Sequence, residues 1–437
     1  MKKKTFVALA LATGLAALTG CGENPGGSGG GEDSESGEFT LQIFAGGYGT
    51  APWRFALDLF QAEHPEYQVN LNMDNNVNQM FADRWRDGNP PDFVFIDGTL
   101  DYPTWLEEGL LEDLSSWKDS AVVPGENVSV KSKVDEAYWR TYTGSDGKTI
   151  TFGAPLVLNA YGMWYDANLF EEKGWTMPAN FNELQGFASL ADSSMSTLIY
   201  PGVYSGYLTQ GMLVPAFAEL GDELFSRIMN CSDVDVYGTP EFKGVLTRFN
   251  EFINLNDNVV YDCLSLDHTT SQMNWLSHKA AMIPNGLWLR HEMEKDIPED
   301  FLMHFAPSPL NQKQQYLVTT SVTAGIASQA KNKKAAKEFM AYLYRDDVQK
   351  QFVYASDSPS PVKLDLANDP KVTEVNKYTQ TVFNNPAYKH AANNGSWGGV
   401  DAAINNAVNS LVKKSISVDQ AIEAIKSAAA AEIKNRA

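Results

Sequence analysis

The stretch FTLQIFAGG, residues 39–47, opens the part of the chain in which the fold can be predicted. Apolar and polar side chains alternate along it until it reaches glycines, which is typical of a β-strand that enters a loop. The next segment, WRFALDLFQAEHP, has the apolar spacing of a helix, which we expect to end near Pro65. The ordered part of the chain therefore begins with a strand and a helix.

The same alternation continues downstream. YQVNLNM reads as a second strand, VNQMFADRWRDG as a second helix and PPDFVFIDG as a buried strand over residues 93–96. Strands that alternate with helices predict right-handed βαβ units and a parallel sheet, hence an α/β fold. In such sheets ligands lie outside the carboxyl ends of the strands. The loops 46–50 and 97–99 both follow such ends.

Two candidate ligand contacts come from these loops. Tyr48 lies among Gly46, Gly47 and Gly49, which allow a ligand to approach the backbone closely. Asp97 follows the buried strand and could accept two hydroxyl protons, although capping of the next helix is an equally simple role.

The rest of the chain is richer in helix. Three predicted helices are PANFNELQGFASL, with Asn180 as its cap, TPEFKGVLTRFNEFINL, and SVDQAIEAIKSAAAAEI, which a Ser417/Gln420 capping box opens. We expect NKKAAKEFMAYLYRDDVQKQFV to form one long helix. The sequence contains no tandem repeat.

The N-terminus has the pattern of a secretory signal peptide, residues 1–20. Three lysines precede an apolar stretch, residues 6–18, that is too short to span a membrane. The sequence LTGC that ends at Cys21 resembles a bacterial lipobox, which implies cleavage before Cys21 and lipidation of its thiol; a soluble secreted protein is the alternative. Residues 21–37 are rich in Gly, Ser and acidic residues and are expected to be a flexible, lipidated tether.

Length and charge narrow the class of protein. Roughly 400 residues remain after the tether, which favours two domains. The formal charge is −20, and loss of the three leader lysines makes it −23. A folded surface with this charge argues against nucleic acid or anionic lipid as partners and suits a neutral or weakly charged ligand.

The remaining cysteines, Cys231 and Cys263, are an even number in an oxidising compartment, so we expect a disulfide. Two buried free thiols are the alternative. No spacing of Cys or His suggests zinc, and we expect no metal and no cofactor.

Three segments carry a resemblance to a known family. They are GAPLVLNAYGMWYDANLFEEKGWTMPANFNEL, NWLSHKAAMIPNGLWL and VTAGIASQAKNKKAAKEFMAYLYRDDVQKQF. In order and spacing they resemble the family 1 extracellular solute-binding proteins, which serve carbohydrate ABC importers and include the maltose-binding protein. Two positions depart from the family pattern: Asp166 replaces Asn after Tyr165, and His278 replaces Gly before Lys279.

The resemblance implies a two-lobed periplasmic-binding-protein fold of type II with a carbohydrate site in the cleft. The chain would cross between lobes near residues 155–159, 318–325 and 358–361. Lobe 1 would hold 38–156 and 318–358, and lobe 2 would hold 157–317 and 359–437. The implied partners are a carbohydrate, which we expect to be an oligosaccharide, the ABC transporter permease subunits, and the membrane through the lipid. A monomer is expected.

The resemblance also points to site residues. Trp288 matches the family's motif Trp, which stacks on sugar in several members, and Asn159 matches a polar position after the first crossing. Packing beside the cleft is the alternative for Trp288. Trp397 stands among glycines in NNGSWGG, where a plain loop would not need a large aromatic residue. Weaker candidates are Tyr161, Tyr204, Tyr207 and Asn285.

Other functions are possible on the same sequence. A secreted glycan-active enzyme would need a pair of carboxylates in a cleft, and 54 acidic residues make such a pair uninformative. The sequence has no nucleophile elbow, zinc-protease motif or phosphate-binding loop, so we expect no enzyme. A binder of peptide or another polar solute on the same fold is the second alternative.

Overall fold

The strands of the computed structural model form one connected, mixed sheet. Described residues are 37–46, 48–96, 100, 102–144, 146–190, 195–255, 258–392 and 399–436. The strands are β1 (Gly37–Phe44), β2 (Tyr67–Asp74), β3 (Phe93–Ile96), β4 (Arg140–Thr143), β5 (Thr149–Asp166), β6 (Ser196–Leu198), β7 (Ala280–Gly286), β8 (Met303–Ala306), β9 (Tyr316–Ile326) and β10 (Lys389–Ala392). Their order is β2-β1-β3-β9-β5-β7-β6, with β10 on β9 and both β4 and β8 on β5.

The first three strands pair as the sequence predicts, but the sheet as a whole is not parallel. β1 is parallel to β2 and to β3. β9 is antiparallel to β3 and to β5, which makes the sheet mixed. The predicted parallel pairing therefore holds for β1, β2 and β3. The sheet becomes mixed because β9 enters from a distant part of the chain, where no local βαβ unit fixes its direction.

Two long strands connect the parts of the sheet. Residues 154–160 of β5 pair with residues 319–324 of β9, and the register shifts between Pro155 and Val157. Beyond this pairing, β5 continues against β7 and β8. The backbone N–H of Leu158 also donates to the carbonyl of Pro359 at 2.9 Å. The three segments predicted to be chain crossings therefore lie side by side.

The helices surround this sheet. The first nine are α1 (Ala51–Glu63), α2 (Val77–Arg86), α3 (Tyr102–Glu107), α4 (Ser115–Ser120), α5 (Val130–Lys133), α6 (Ala167–Lys173), α7 (Phe181–Ala188), α8 (Gly206–Leu208) and α9 (Val214–Ala218). The others are α10 (Asp222–Met229), α11 (Pro240–Ile253), α12 (His268–Leu276), α13 (Leu289–Glu292), α14 (Lys333–Tyr342), α15 (Asp346–Ser356), α16 (Glu374–Phe383), α17 (Gly399–Val412) and α18 (Val418–Arg436). A π-helical turn, Thr209–Leu213, joins α8 to α9.

Two predicted helix starts have the expected side-chain caps. Asn180 Oδ1 accepts the N–H of Glu183 at 3.1 Å at the start of α7. Ser417 and Gln420 exchange two hydrogen bonds, of 2.9 and 3.2 Å, before α18. The capping-box pattern was therefore sufficient to locate both starts.

The predicted long helix is instead two helices, α14 and α15. Arg345 has extended backbone angles, φ −66° and ψ 142°, and interrupts the helix. Its guanidinium donates two hydrogen bonds to Asp347, at 2.9 and 2.8 Å. Asp346 and Asp347 then begin a new helix, where acidic residues favour the positive end of the helix dipole. Both helices contact α1.

Two large hydrophobic cores lie on either side of the paired β5 and β9 segments. One contains the edge-packed rings of Phe39, Phe60, Phe93 and Phe339. The other is built around Trp164 and the second half of the chain. Truncation of such fully buried aromatic residues to Ala costs about 3–5 kcal/mol. A third, smaller core lies under α2 and α3.

Within the ranges given above, no helix combines the length and apolarity needed to cross a membrane. The same residues hold no group of three or more His, Cys, Asp or Glu side chains arranged to bind a metal ion.

Candidate ligand-binding site

Three aromatic rings from distant parts of the chain meet in one cluster. Tyr161 of β5 packs its edge against Trp288 at 5.2 Å between ring centroids, with an interplanar angle of 87°. Tyr207 of α8 packs at similarly steep angles against both, at 6.3 Å from Tyr161 and 6.4 Å from Trp288. All three rings are half-buried. We call Tyr161, Tyr207 and Trp288 the aromatic triad.

The end of β7 determines where Trp288 lies. A Cβ atom on Gly286 would lie 2.4–2.6 Å from carbon atoms of the Trp288 indole, so the ring can occupy this place only because residue 286 is Gly. The carbonyl of Gly286 accepts a hydrogen bond from Trp164 Nε1 at 3.0 Å. The indole is thus positioned by a rigid strand end.

Asn159 holds the same loop from the neighbouring strand. Its Oδ1 accepts the backbone N–H of Leu287 at 3.0 Å, and the residue is 2% exposed. Asn159, which was predicted to contact the ligand, therefore uses this oxygen to hold Leu287, the residue before Trp288.

The aromatic surface extends beyond the triad. Tyr204 stacks on His268 of α12 at 4.8 Å, and His268 lies 6.5 Å from the ring of Tyr207. Tyr204 is 48% exposed, so a large part of its ring is open to solvent. Together with the triad, these residues form a continuous, half-open aromatic wall of five rings.

The tyrosine hydroxyls of the triad stay neutral at physiological pH. Burial raises the pKa of Tyr161 well above its usual value of 10, helped by nearby Tyr207, Tyr48 and Asp401. Burial, with the adjacent Glu292, raises the pKa of Tyr207 to about 12. Each hydroxyl is therefore able both to donate and to accept a hydrogen bond.

Asp401, in the first turn of α17, is a site residue that sequence analysis missed. Burial raises the pKa of its carboxyl, and a hydrogen bond from Asn405 opposes that rise. Asn405 is fixed one helical turn further on, where its Oδ1 accepts from Thr209 at 2.6 Å and its carbonyl accepts from Ser205 at 3.1 Å. These contacts bring the start of α17 against the segment that carries Tyr204 and Tyr207. The only signal in the sequence is that Asp401 comes four residues after Trp397.

The other predicted site residues divide into three groups. Tyr48 packs on Phe95 at 6.0 Å and is close enough to Tyr161 to influence its pKa. Asn285 is fully buried, its Oδ1 accepts the N–H of Gly286 at 2.8 Å, and its Nδ2 has no hydrogen-bond partner among the described residues. Asp97 and Trp397, like the predicted lipidation site Cys21, lie outside the described residues.

The predicted disulfide is not formed. Both Cys231 and Cys263 are buried and free. Cys231 Sγ lies 3.9 Å from the carbonyl of Ala429, whereas Cys263 lies beside Tyr200 and burial raises its pKa to about 12. Each thiol is thus packed in its own environment, which is the alternative that the even cysteine count left open.

Two surface cavities lie elsewhere. One, of about 300 Å³, lies between Tyr138 and the segment 383–390, and the other, of about 570 Å³, lies between residues 264–265 and the outer side of α17. Neither shares a residue with the aromatic triad. The triad and Asp401 instead combine flat apolar faces with neutral hydroxyls and one half-buried carboxylate, a set suited to holding a polar solute that also has apolar faces.

Sequence comparison shows the family to which the chain belongs. Residues 46–350, more than half of the chain, match the model of the family described as bacterial extracellular solute-binding protein. A diacetylchitobiose binding protein, NgcE, of Streptomyces coelicolor is 24% identical over 331 residues, which cover 74% of this chain and 69% of that protein. A multiple sugar-binding protein of Streptococcus mutans is 20% identical over 325 residues, 70% of each chain.

Solved structures share the fold. The apo form of RafE from Streptococcus pneumoniae matches with a TM-score of 0.71 and 17% identity, over 90% of this chain and 97% of RafE. The GacH receptor of Streptomyces glaucescens, solved unliganded and with acarbose, matches with a TM-score of 0.63 and 18% identity, over 90% and 97% of the two chains. At these identities the likeness shows the fold alone, an α/β two-lobed binding-protein fold.

Proposed function

Because the chain belongs to the bacterial extracellular solute-binding protein family, we propose that it captures a carbohydrate outside the cytoplasm and delivers it to an ABC importer. The ligand that we favour is an oligosaccharide. Diacetylchitobiose, raffinose and acarbose are named as ligands of its relatives and structural neighbours, and all three are built from more than one ring unit. The function is binding and release, without turnover.

The aromatic triad is the observation that carries this proposal. A pyranose ring has a C–H face that packs on aromatic rings and a rim of hydroxyls that needs hydrogen-bond partners. Tyr161, Tyr207 and Trp288 offer half-buried apolar faces, and both tyrosine hydroxyls are neutral. A wall of five rings, with Tyr204 and His268 at its outer end, is long enough for more than one sugar unit.

We further propose that the ligand closes two lobes, 38–156 with 318–358 and 157–317 with 359–437. The pairing of β5 with β9 and the bond from Leu158 to Pro359 would be the hinge. Tyr48 would contact the sugar from lobe 1 and the triad from lobe 2. A ligand that touches both lobes favours the closed state only by the difference in its affinity for the two states, so closure remains reversible.

The N-terminal anchor is also a proposal. A signal peptide, residues 1–20, would be removed and Cys21 lipidated, with residues 21–37 as a tether between membrane and body. Two or more acyl chains anchor a protein stably, whereas one holds it only marginally. Fractionation tests this: the parent protein should sediment with membranes, and a Cys21→Ser variant should appear in the soluble or secreted fraction. Equal membrane association of both proteins would refute lipid anchoring.

Calorimetry of the purified protein with mono-, di- and oligosaccharides tests the central proposal. We expect saturable binding of at least one oligosaccharide, with recovery of the unchanged sugar after the titration. Cleaved sugar would support the enzyme alternative, and binding of peptides alone would support the alternative of a peptide binder. Small-angle scattering with and without the bound sugar tests closure, which predicts a smaller radius of gyration when sugar is present.

A further inference from the structure

Asp401 differs from Glu292, the other acid near the aromatic wall, because it is half-buried and no ion pair among the described residues includes it. Burial raises its pKa, a hydrogen bond from Asn405 opposes that rise, and no Lys or Arg of the described part of the chain is among the causes. Glu292 is exposed and accepts a hydrogen bond from Gln272 at 2.9 Å. A half-buried carboxylate that no cation neutralises keeps its capacity to accept hydrogen bonds from a ligand.

The contacts of Asn405 place the start of α17 beside the triad. Asn405, four residues after Asp401 and therefore on the same face of α17, is bonded to Thr209 and Ser205, on either side of Tyr207. Asp401 also lies near enough to Tyr161 to oppose ionisation of its hydroxyl. Asp401 therefore lies on the helix face that is turned toward the segment of Tyr207.

We propose that Asp401 is the specificity-determining anchor of the ligand site, where its two carboxylate oxygens accept hydrogen bonds from two adjacent hydroxyls of the sugar unit that lies on the triad. This inference rests on the proposed carbohydrate function and adds the chemical requirement of a vicinal diol at one end of the ligand. A carboxylate can only accept hydrogen bonds. A sugar that offers both hydroxyl donors therefore binds more tightly than a sugar that lacks one of them.

The ring geometry argues for hydroxyls over an ammonium group. An aromatic cage for a cation needs ring faces that enclose an empty space. Tyr161 and Trp288 instead contact each other edge to face at 5.2 Å, and Tyr207 closes on both, so no cation can lie between these rings. The triad therefore offers a wall to a flat neutral ring, with Asp401 at its edge.

The test compares Asp401→Asn with a matched control, Asp419→Asn. Asp419 lies in the first turn of the neighbouring helix α18, is exposed, and pairs with Lys243 at 2.5 Å, so its replacement removes the same charge away from the site. The parent protein is first titrated with raffinose, diacetylchitobiose and maltotriose in a calorimeter. The sugar that it binds most tightly is then titrated into both variants. Chitobiose with free amino groups serves as the cationic probe.

We expect Asp401→Asn to weaken binding by about 10–100-fold, since hydrogen bonds to a charged group are the strongest of their kind. Its thermal midpoint without sugar should equal or exceed that of the parent, because a neutral amide costs less to desolvate than a carboxylate, and this distinguishes a binding role from a structural one. Asp419→Asn should bind as the parent does.

Unchanged affinity of Asp401→Asn for the same sugar would overturn the inference while leaving the proposed function intact. Tighter binding of the amino sugar than of diacetylchitobiose, with affinity that falls as salt is raised, would also overturn it in favour of a cationic ligand. If the parent bound none of the saccharides, the proposed function would fail and this inference with it.

Discussion

Asp166 and His278 lie in contact, with His278 Nε2 2.9 Å from Asp166 Oδ2. These are the two positions at which the sequence departs from the family pattern, and 112 residues separate them. The other carboxylate oxygen, Oδ1, accepts the N–H groups of Asn168 and Leu302. The two departures are therefore one structural unit that joins the start of α6 to the turn before β7.

The backbone of His278 explains why the family pattern has Gly there. Its φ is +59°, in the left-handed region that a residue with a side chain adopts at a cost of roughly 1 kcal/mol. The bond to the buried Asp166 and stacking on Phe301, at 5.2 Å between centroids, offset this cost. A Gly would relax the backbone but would leave the Asp166 carboxylate with one partner fewer.

A double-mutant cycle of Asp166→Asn and His278→Gly measures this coupling. Asp166→Asn should lose about 1 kcal/mol or more of unfolding free energy, because it removes one half of the pair. His278→Gly should lose less, because the relaxed backbone returns roughly 1 kcal/mol. The double variant, which restores the family residues, should be more stable than the sum of the two losses predicts, by about 1 kcal/mol. Urea unfolding measures all four proteins, and strict additivity would show that the contact contributes nothing.

Gly286→Ala should weaken sugar binding without unfolding the protein. The new Cβ would lie 2.4 Å from the Trp288 indole, so the ring must move away from its place in the triad. We expect a loss of about tenfold in affinity, since displacing a central aromatic contact costs more than 1 kcal/mol. Calorimetry with the sugar that the parent binds measures this.

The matched control for that variant is Gly186→Ala. Gly186 lies inside helix α7, and a Cβ there meets nothing within 4 Å. Ala in a helix interior is favoured over Gly by roughly 0.5–1 kcal/mol, so this variant should be slightly more stable and bind sugar normally. Equal affinities of both variants would show that the position of Trp288 does not matter for binding.

Arg290→Ala should destabilise the protein strongly. Arg290 Nη1 lies 2.6 Å from Asp357 Oδ2, and the Asp357 side chain is only 4% exposed. Without the guanidinium, the buried carboxylate keeps one side-chain hydrogen bond within the described part of the chain, from Thr373 at 3.0 Å, and the expected loss is roughly 3 kcal/mol. Arg86→Ala is the control, since its ion pair with Asp83 is more than 70% exposed on both sides and should contribute under 1 kcal/mol. Similar urea midpoints for the two variants would contradict this.

Local patterns in the sequence predicted much of the first half of the fold. The alternation from residue 39 to 96 gave β1, α1, β2, α2 and β3 in the correct order, because each depends on its own side-chain periodicity. The direction of β9 was not predictable in this way, since it depends on pairing with β3 more than 200 residues away. The helix break at Arg345 was missed because apolar periodicity continues through it.

The site residues also divide into those that the sequence predicted and those that it did not. Trp288, Tyr161 and Tyr207 were named from the sequence, and the structure brings them together. Asp401 was missed because its environment depends on contacts of α17 with the segment 205–209, which no local pattern encodes. Asn159 was predicted to contact the ligand. In the structure its Oδ1 accepts a hydrogen bond from Leu287, 128 residues later in the chain, and so holds the loop that carries Trp288.

Thiol counting tests the corrected cysteine assignment. In a Cys21→Ala variant, prepared without reductant, two thiols per chain should react with a thiol reagent after unfolding in denaturant. Almost none should react in the folded protein, because Cys231 and Cys263 are buried and burial raises the pKa of Cys263 to about 12, which leaves little thiolate. A further Cys263→Ala change should halve the count. No reactive thiol after unfolding would show that the pair is bonded after all.

Sugar affinity should fall in acid, and Asp401 should account for the fall. Burial raises the pKa of Asp401 in the free protein above its usual value, and only the carboxylate can accept two hydroxyl protons. Because bound sugar favours the charged form, it lowers this pKa; affinity is therefore complete above the raised pKa and declines as the pH falls through it. The pKa values of Tyr161 and Tyr207 are raised, so both stay protonated throughout this range. Calorimetry from pH 7 to pH 4 should show the decline in the parent and a flatter profile in Asp401→Asn. An identical slope in the two proteins would assign the titration to another group.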